Sequence, residues 1–84
     1  MKISIFGTGY VGLVTGASLA KLGHEVFCID KNKSVIENLN NSKTPFYEKG
    51  LDSLLNETLN VNLTIGEFDE KIVANSEIIL VTVG

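Results

Sequence analysis

Near the start of the chain, Gly7-Thr8-Gly9-Tyr10-Val11-Gly12 places glycine at the first, third and sixth positions of a six-residue run. That spacing suits contact with a phosphate. Gly7 permits a tight turn, Gly9 leaves room for a pyrophosphate to touch the backbone, and Gly12 lets a helix lie close to the strand before it. A helix beginning here offers amide donors and a positive dipole end to the same anion. Taken alone, the glycine pattern also fits an ordinary turn. Asp30, eighteen residues past Gly12, supplies the second half of the chemistry. At the end of a second strand its carboxylate can accept hydrogen bonds from adenosine ribose hydroxyls, so turn and acid together predict a dinucleotide site. The same carboxylate would repel a 2′-phosphate, which favours NAD over NADP. Lys31 and Lys33 read as solvated lysines at the start of a surface helix.

These groups work only if the elements around them hold them in place. Residues 2–6 and 25–29 are short β-rich runs ending at Gly7 and Asp30, and both are expected to be buried strands. Between them, residues 10–22 are apolar, with Gly12, Gly16 and Ala20 spaced four apart on one helical face that can approach a sheet closely. Gly23 is the natural stop for that helix. Val35, Ile36 and Leu39 mark a helix over roughly 33–41 with Asn32 as its N-cap, and Leu51, Leu54, Leu55 and Leu59 mark another over 50–60. The stretch from Asn41 to Lys49, which holds Pro45, reads as an ordered surface loop. A third strand over 62–66, a short helix over 68–75 and a fourth strand from Glu77 to Val83 complete the order β-α-β-α-α-β-α-β.

Alternation of this kind implies parallel strands joined by right-handed crossovers, an α/β chain with a Rossmann-like doubly wound parallel sheet. Such sheets usually carry about six strands, so residues 1–84 are expected to form a single but truncated four-strand part of the domain. Its fourth strand would be an exposed apolar edge.

The chain has 84 residues, 44% of them apolar and 20% charged, the balance of a packed globular domain. A net charge of -3 with seven scattered basic residues leaves no footprint for gripping nucleic acid or an anionic membrane. The run from Ile3 to Phe6 is too short for a signal-peptide core and nothing approaches a membrane span, so a cytoplasmic protein is expected. Cys28 is the single cysteine and falls inside a predicted strand, where it reads as a small buried hydrophobe and not as a nucleophile. His24, after Gly23, is expected to interact with helix C-terminal carbonyls. No metal site is expected.

Several runs resemble one family. Lys2 to Ala17, with Gly9-Tyr10-Val11-Gly12 the most telling part, resembles the opening of UDP-glucose 6-dehydrogenases and their GDP-mannose relatives. Gly23-His24-Glu25-Val26, Ile36-Glu37-Asn38-Leu39-Asn40 and the loop Pro45 to Leu51 are similar to that family too, as is the closing Val81-Thr82-Val83-Gly84. The resemblance implies that Gly7, Gly9, Tyr10, Val11 and Gly12 form the pyrophosphate loop, that Asp30 holds the adenosine ribose, and that Thr82, Val83 and Gly84 line the cofactor cleft.

It also implies a longer, homo-oligomeric parent that oxidises a nucleotide sugar in two NAD-dependent steps, UDP-glucose to UDP-glucuronate in the closest case. The catalytic cysteine and lysine and the sugar-binding domain are expected beyond this chain, which alone would be inactive. GDP-mannose and UDP-ManNAc stay open as the parent's substrates, and a nucleotide-sensing regulatory domain shares the same glycine and Asp unit. Two positions depart from the family pattern. Val35 stands where a Lys or Arg is usual, and Lys49 stands where a helix-starting proline is usual.

Overall fold

The computed structural model describes residues 1–44 and 49–82. Pro45 to Glu48 of the family-like loop, together with Val83 and Gly84, lie outside the described residues. Four strands, β1 (Lys2–Phe6), β2 (Glu25–Ile29), β3 (Leu63–Gly66) and β4 (Ile78–Val81), alternate with α1 (Tyr10–Lys21), α2 (Lys33–Asn40), α3 (Leu51–Thr58) and α4 (Glu70–Ala74). The expected order holds throughout. The strands form one parallel sheet in the order β3-β2-β1-β4. The chain thus winds outward to β3 and returns across β1 to β4, as a doubly wound sheet does.

The core lies between one sheet face and the first three helices. Ile3, Ile5, Val26, Cys28, Leu63 and Ile65 alternate along their strands to face Leu13, Ala17 and Ala20 of α1, Leu39 of α2, and Leu51 and Leu55 of α3. Full burial of a Leu or Ile side chain stabilises the fold by about 1.5–3 kcal/mol, so this cluster is its main source of cohesion. Close approach of α1 depends on Gly16, where a Cβ would stand 2.7 Å from Cys28 Sγ and 3.3 Å from Ile5 Cδ1.

Helix ends follow the local signals. Asn32 caps α2, its side chain accepting from the amides of Ser34 and Val35 at 2.9 and 3.3 Å. Gly23 at φ 103° ends the α1 turn, and the His24 amide donates to Leu19 O at 3.2 Å. α4 is shorter than the expected 68–75 because Asp69 caps it, accepting from the amides of Lys71 and Ile72 at 3.0 and 3.3 Å and leaving Glu67 and Phe68 in the loop. β4 spans Ile78–Val81, and its hydrogen bonding to β1 continues on both sides. The Glu77 amide donates to Lys2 O at 2.8 Å and the Thr82 amide to Phe6 O at 2.9 Å.

The opposite sheet face is thinly covered, since α4 buries none of its residues. A Ser4–Ser76 hydroxyl pair at 2.5 Å and a tilted Phe6–Phe68 ring pair with centroids 6.2 Å apart hold the β3–β4 crossover against it. Ile78, Ile79 and Val81 of β4 remain exposed, as expected of an apolar edge.

Candidate functional site at the carboxyl ends of the strands

Parallel register brings the glycine loop and the acidic residue together. Phe6 pairs with Ile29, and the Gly7 amide donates to Ile29 O at 2.8 Å, so the segments leaving β1 and β2 start side by side. Gly7, at φ 107°, turns the chain in a conformation that disfavours a side chain. Gly9 follows as the N-cap of α1 and brings no side-chain cap to the first helical turn. The first-turn amides of a helix lack intrahelical acceptors, and here the space above Gly9 is open, with no atom within 4 Å of where its Cβ would stand. At Gly12 the reverse holds. A Cβ there would overlap Gly7 O and lie 2.6 Å from Thr82 Oγ1.

Thr82 closes this end of the sheet from the β4 side. Its hydroxyl donates to Phe6 O at 3.1 Å and approaches Gly7 O at 3.4 Å. The turn is therefore held by neighbours on both flanks, Ile29 from β2 and Thr82 from β4.

Asp30 stands at the end of β2, where its amide donates to Gly66 O at 3.1 Å. Its Oδ2 accepts from the Thr8 hydroxyl at 2.5 Å and its Oδ1 from the Asn32 amide at 2.9 Å. Partial burial pushes the carboxyl pKa up, but the Thr8 hydroxyl and the nearby amides of Asn32, Thr8 and Lys31 outweigh it and hold the group below its ordinary value. The side chain is thus an ionised acceptor at neutral pH, beside a turn that presents bare backbone to an anion. Those are the two features an adenosine diphosphate moiety requires, and the residues present fit one.

Of the expected site residues, the structure gathers Gly7, Gly9, Tyr10, Val11, Gly12, Asp30 and Thr82 at one end of the sheet. Tyr10 and Val11 are largely exposed on the first turn of α1. Val83 and Gly84 fall outside the described residues. Thr82 is found tying β4 to β1 through its hydroxyl, a bracing role that the family resemblance did not imply. Thr8 is the residue sequence reasoning passed over. Only 2% exposed, it carries the hydroxyl that grips Asp30. The available signal was a hydroxyl residue directly after the first glycine, next to an acid ending the adjacent strand.

The remaining candidates fall elsewhere. Val35 packs against the core, and Lys33 Nζ lies 4.0 Å from Glu67 Oε1, directed toward the segment after β3. Cys28 is buried in β2, with its thiol pushed up to about 12 by that burial. His24 Nδ1 lies 3.2 Å from the amino terminus. Among the described residues no His, Cys, Asp and Glu cluster could hold a metal, and no helix is long and apolar enough to cross a membrane. An open cavity of about 300 Å³ lined by Lys2, Glu25, Phe27, Val61 and Ile72 lies at the amino ends of the strands, away from the glycine loop.

Comparison with known proteins agrees with this fold. Residues 1–84 match the NAD binding domain of the UDP-glucose/GDP-mannose dehydrogenase family. The chain is 41% identical to the UDP-glucose 6-dehydrogenase YwqF of Bacillus subtilis, covering 100% of this chain and 19% of that protein. Its fold superposes with a TM-score of 0.88 and 40% identity on a ternary complex of GDP-mannose dehydrogenase from Pseudomonas aeruginosa, covering 100% of this chain and 20% of the other. A UDP-D-ManNAc dehydrogenase from Pyrococcus horikoshii superposes at 0.90 with 28% identity, over 99% of this chain and 20% of its own. The chain therefore spans about a fifth of the length of these three relatives.

Proposed function

The chain belongs to the UDP-glucose/GDP-mannose dehydrogenase family as its NAD-binding domain, and from that premise we propose that it is the first part of a cytoplasmic, homo-oligomeric UDP-glucose 6-dehydrogenase. The observation that carries the cofactor half of this reading is the Asp30 carboxylate, held ionised beside the open backbone at Gly9. In this reading Gly7, Gly9, Tyr10, Val11 and Gly12 surround the pyrophosphate, with the Val11 amide as a donor. Asp30 accepts from the adenosine ribose, and Thr82, Val83 and Gly84 line the cofactor cleft. Bound NAD supplies the hydride acceptor. The residues of this chain bind and orient it, and sugar contacts and covalent chemistry belong to the rest of the parent.

UDP-glucose is the proposed substrate because the UDP-glucose 6-dehydrogenase YwqF is 41% identical over the whole chain, while the opening run Lys2 to Ala17 resembles these enzymes and their GDP-mannose relatives alike. The dehydrogenase family match speaks against a nucleotide-sensing domain. Purified full-length protein offered NAD with UDP-glucose, GDP-mannose or UDP-ManNAc separately is expected to form NADH with UDP-glucose, about two per sugar. Residues 1–84 alone are expected to form none. Turnover confined to another sugar would reject the substrate, and sustained turnover by the isolated 84 residues would reject the division of labour.

A further inference from the structure

A carboxylate that receives a vicinal diol has to present free lone pairs in the right direction, and an unsupported Asp side chain rotates about χ1 and χ2. Asp30 is supported on both oxygens. The Thr8 hydroxyl donates to Oδ2 at 2.5 Å and the Asn32 amide to Oδ1 at 2.9 Å, one close donor on each. The Thr8 and Lys31 amides also lie near the group, so the donors around it set the direction in which its remaining acceptor capacity faces a ribose 2′,3′-diol. The Asn32 contact is local, two residues along the chain, and forms whenever this turn forms. The Thr8 contact spans 22 residues and joins the glycine loop to the end of β2.

Thr8 also lacks an evident alternative purpose. It sits between Gly7 and Gly9, whose roles come from the backbone, yet it turns inward and is 2% exposed. A valine of nearly the same shape would fill that space. What valine lacks is the donor.

We propose that Thr8 is the positioning residue for ribose recognition, its hydroxyl fixing the Asp30 carboxylate in the orientation that accepts the adenosine diol and coupling that orientation to the pyrophosphate turn. The proposal rests on the reading that Asp30 holds the ribose. It extends that reading by making the second residue of the glycine loop part of the cofactor's adenosine end. Thr8 touches the carboxylate and acts through it.

The test uses the full-length protein and two ligands, NAD and an NAD analogue whose adenosine lacks both ribose hydroxyls, with dissociation constants measured by calorimetry. Wild type is expected to bind the analogue at least tenfold more weakly than NAD. Thr8→Val is expected to lose about tenfold for NAD, in keeping with one hydrogen bond to a charged group, and to bind the analogue within about twofold of wild type. Thr8→Ser, which keeps the hydroxyl, is expected to restore NAD binding to within about threefold. Should valine crowd the loop and prevent folding, Thr8→Ala removes the same donor with less bulk and carries the same expectation.

Equal losses for NAD and the analogue in the hydroxyl-free variants would overturn the proposal, because they would mark a general effect on the loop. Unchanged NAD affinity would overturn it also. A wild type that binds NAD and the analogue equally well would reject the role of Asp30 itself, which separates failure of the underlying reading from failure of the role given to Thr8.

Discussion

Gly12 faces the carbonyl oxygen of Gly7 with no room for a side chain between them, while Gly9, midway along the same loop, has open space where its Cβ would be. The two glycines therefore serve different purposes within one motif. Gly12→Ala would force the helix and the turn apart, and overpacking of this kind costs about 1–3 kcal/mol. Gly9→Ala meets no protein atom and is compatible with the extended backbone there, φ -68° and ψ -173°. In the full-length protein we expect Gly12→Ala to lower the urea midpoint and impair NAD binding. Gly9→Ala should keep the midpoint and lose NAD affinity alone, by about tenfold or more, because its methyl would occupy the space proposed for the pyrophosphate. A normal NAD affinity in Gly9→Ala would contradict the placement of the pyrophosphate.

Replacing Asp30 tests the other end of the cofactor. Asp30→Ala removes the carboxylate at the end of β2, and a lost hydrogen-bonded charge corresponds to about a 10- to 100-fold weaker Kd for NAD. NADP affinity should fall less or rise, since the repulsion against a 2′-phosphate goes with the carboxylate. Paired NAD and NADP titrations of wild type and variant report the ratio. A ratio that does not move would remove Asp30 from the specificity of the site.

Acid should release the Thr8–Asp30 contact. The Asp30 pKa is lower in the folded chain than its ordinary 3.8, despite the upward push of burial, because the Thr8 hydroxyl and the Asn32 amide favour the ionised form. The sign follows from proton linkage. With the folded value depressed, this stabilisation is fully present above about 3.8 and drains away as pH falls through the lower folded value. The difference in urea midpoint between wild type and Asp30→Asn is expected to be constant from neutral pH down to about 4 and to narrow below it. A difference that stays constant to pH 2 would mean that the contact does not depend on the charge.

Cys28 should be inert in the native protein. Burial pushes its thiol up to about 12, so almost no thiolate exists at pH 8 and none of it is accessible. Iodoacetamide is expected to leave Cys28 unmodified in folded protein and to alkylate it fully in denaturant, which peptide mass spectrometry reads residue by residue. Its folded value is raised, so its linkage runs opposite to that of Asp30. The contribution is whole below the unfolded value of 9.0 and is lost as pH rises toward 12. Rapid alkylation under native conditions would show that β2 opens far more readily than its packing against Gly16 and Ile5 implies.

Much of this arrangement was legible along the chain because it is written in short-range patterns. The β-rich runs before Gly7 and Asp30 and Asn32 before its helix act on neighbours within a few positions, and the small residues at Gly12, Gly16 and Ala20 show themselves by their spacing of four. Strand, helix and cap follow from steric fit and local hydrogen bonding. The shortened α4 was a near miss with a local cause, since Asp69 competes for the same amides that a helix from 68 would have used internally. Val35, set down as a departure from the family pattern, has a structural reason in its packing against the core.

From residue types and spacing alone came the strands, a turn that bares its backbone, and an acid at the end of the adjacent strand. Those depend on what each residue allows its own backbone to do. The grip of Thr8 on Asp30, and the bracing of the turn by Thr82 from 75 residues away, came only with the sheet. No periodicity encodes a hydrogen bond between positions so far apart. Parallel pairing in the order β3-β2-β1-β4 brings those ends together, and burial of the shared apolar face keeps them there.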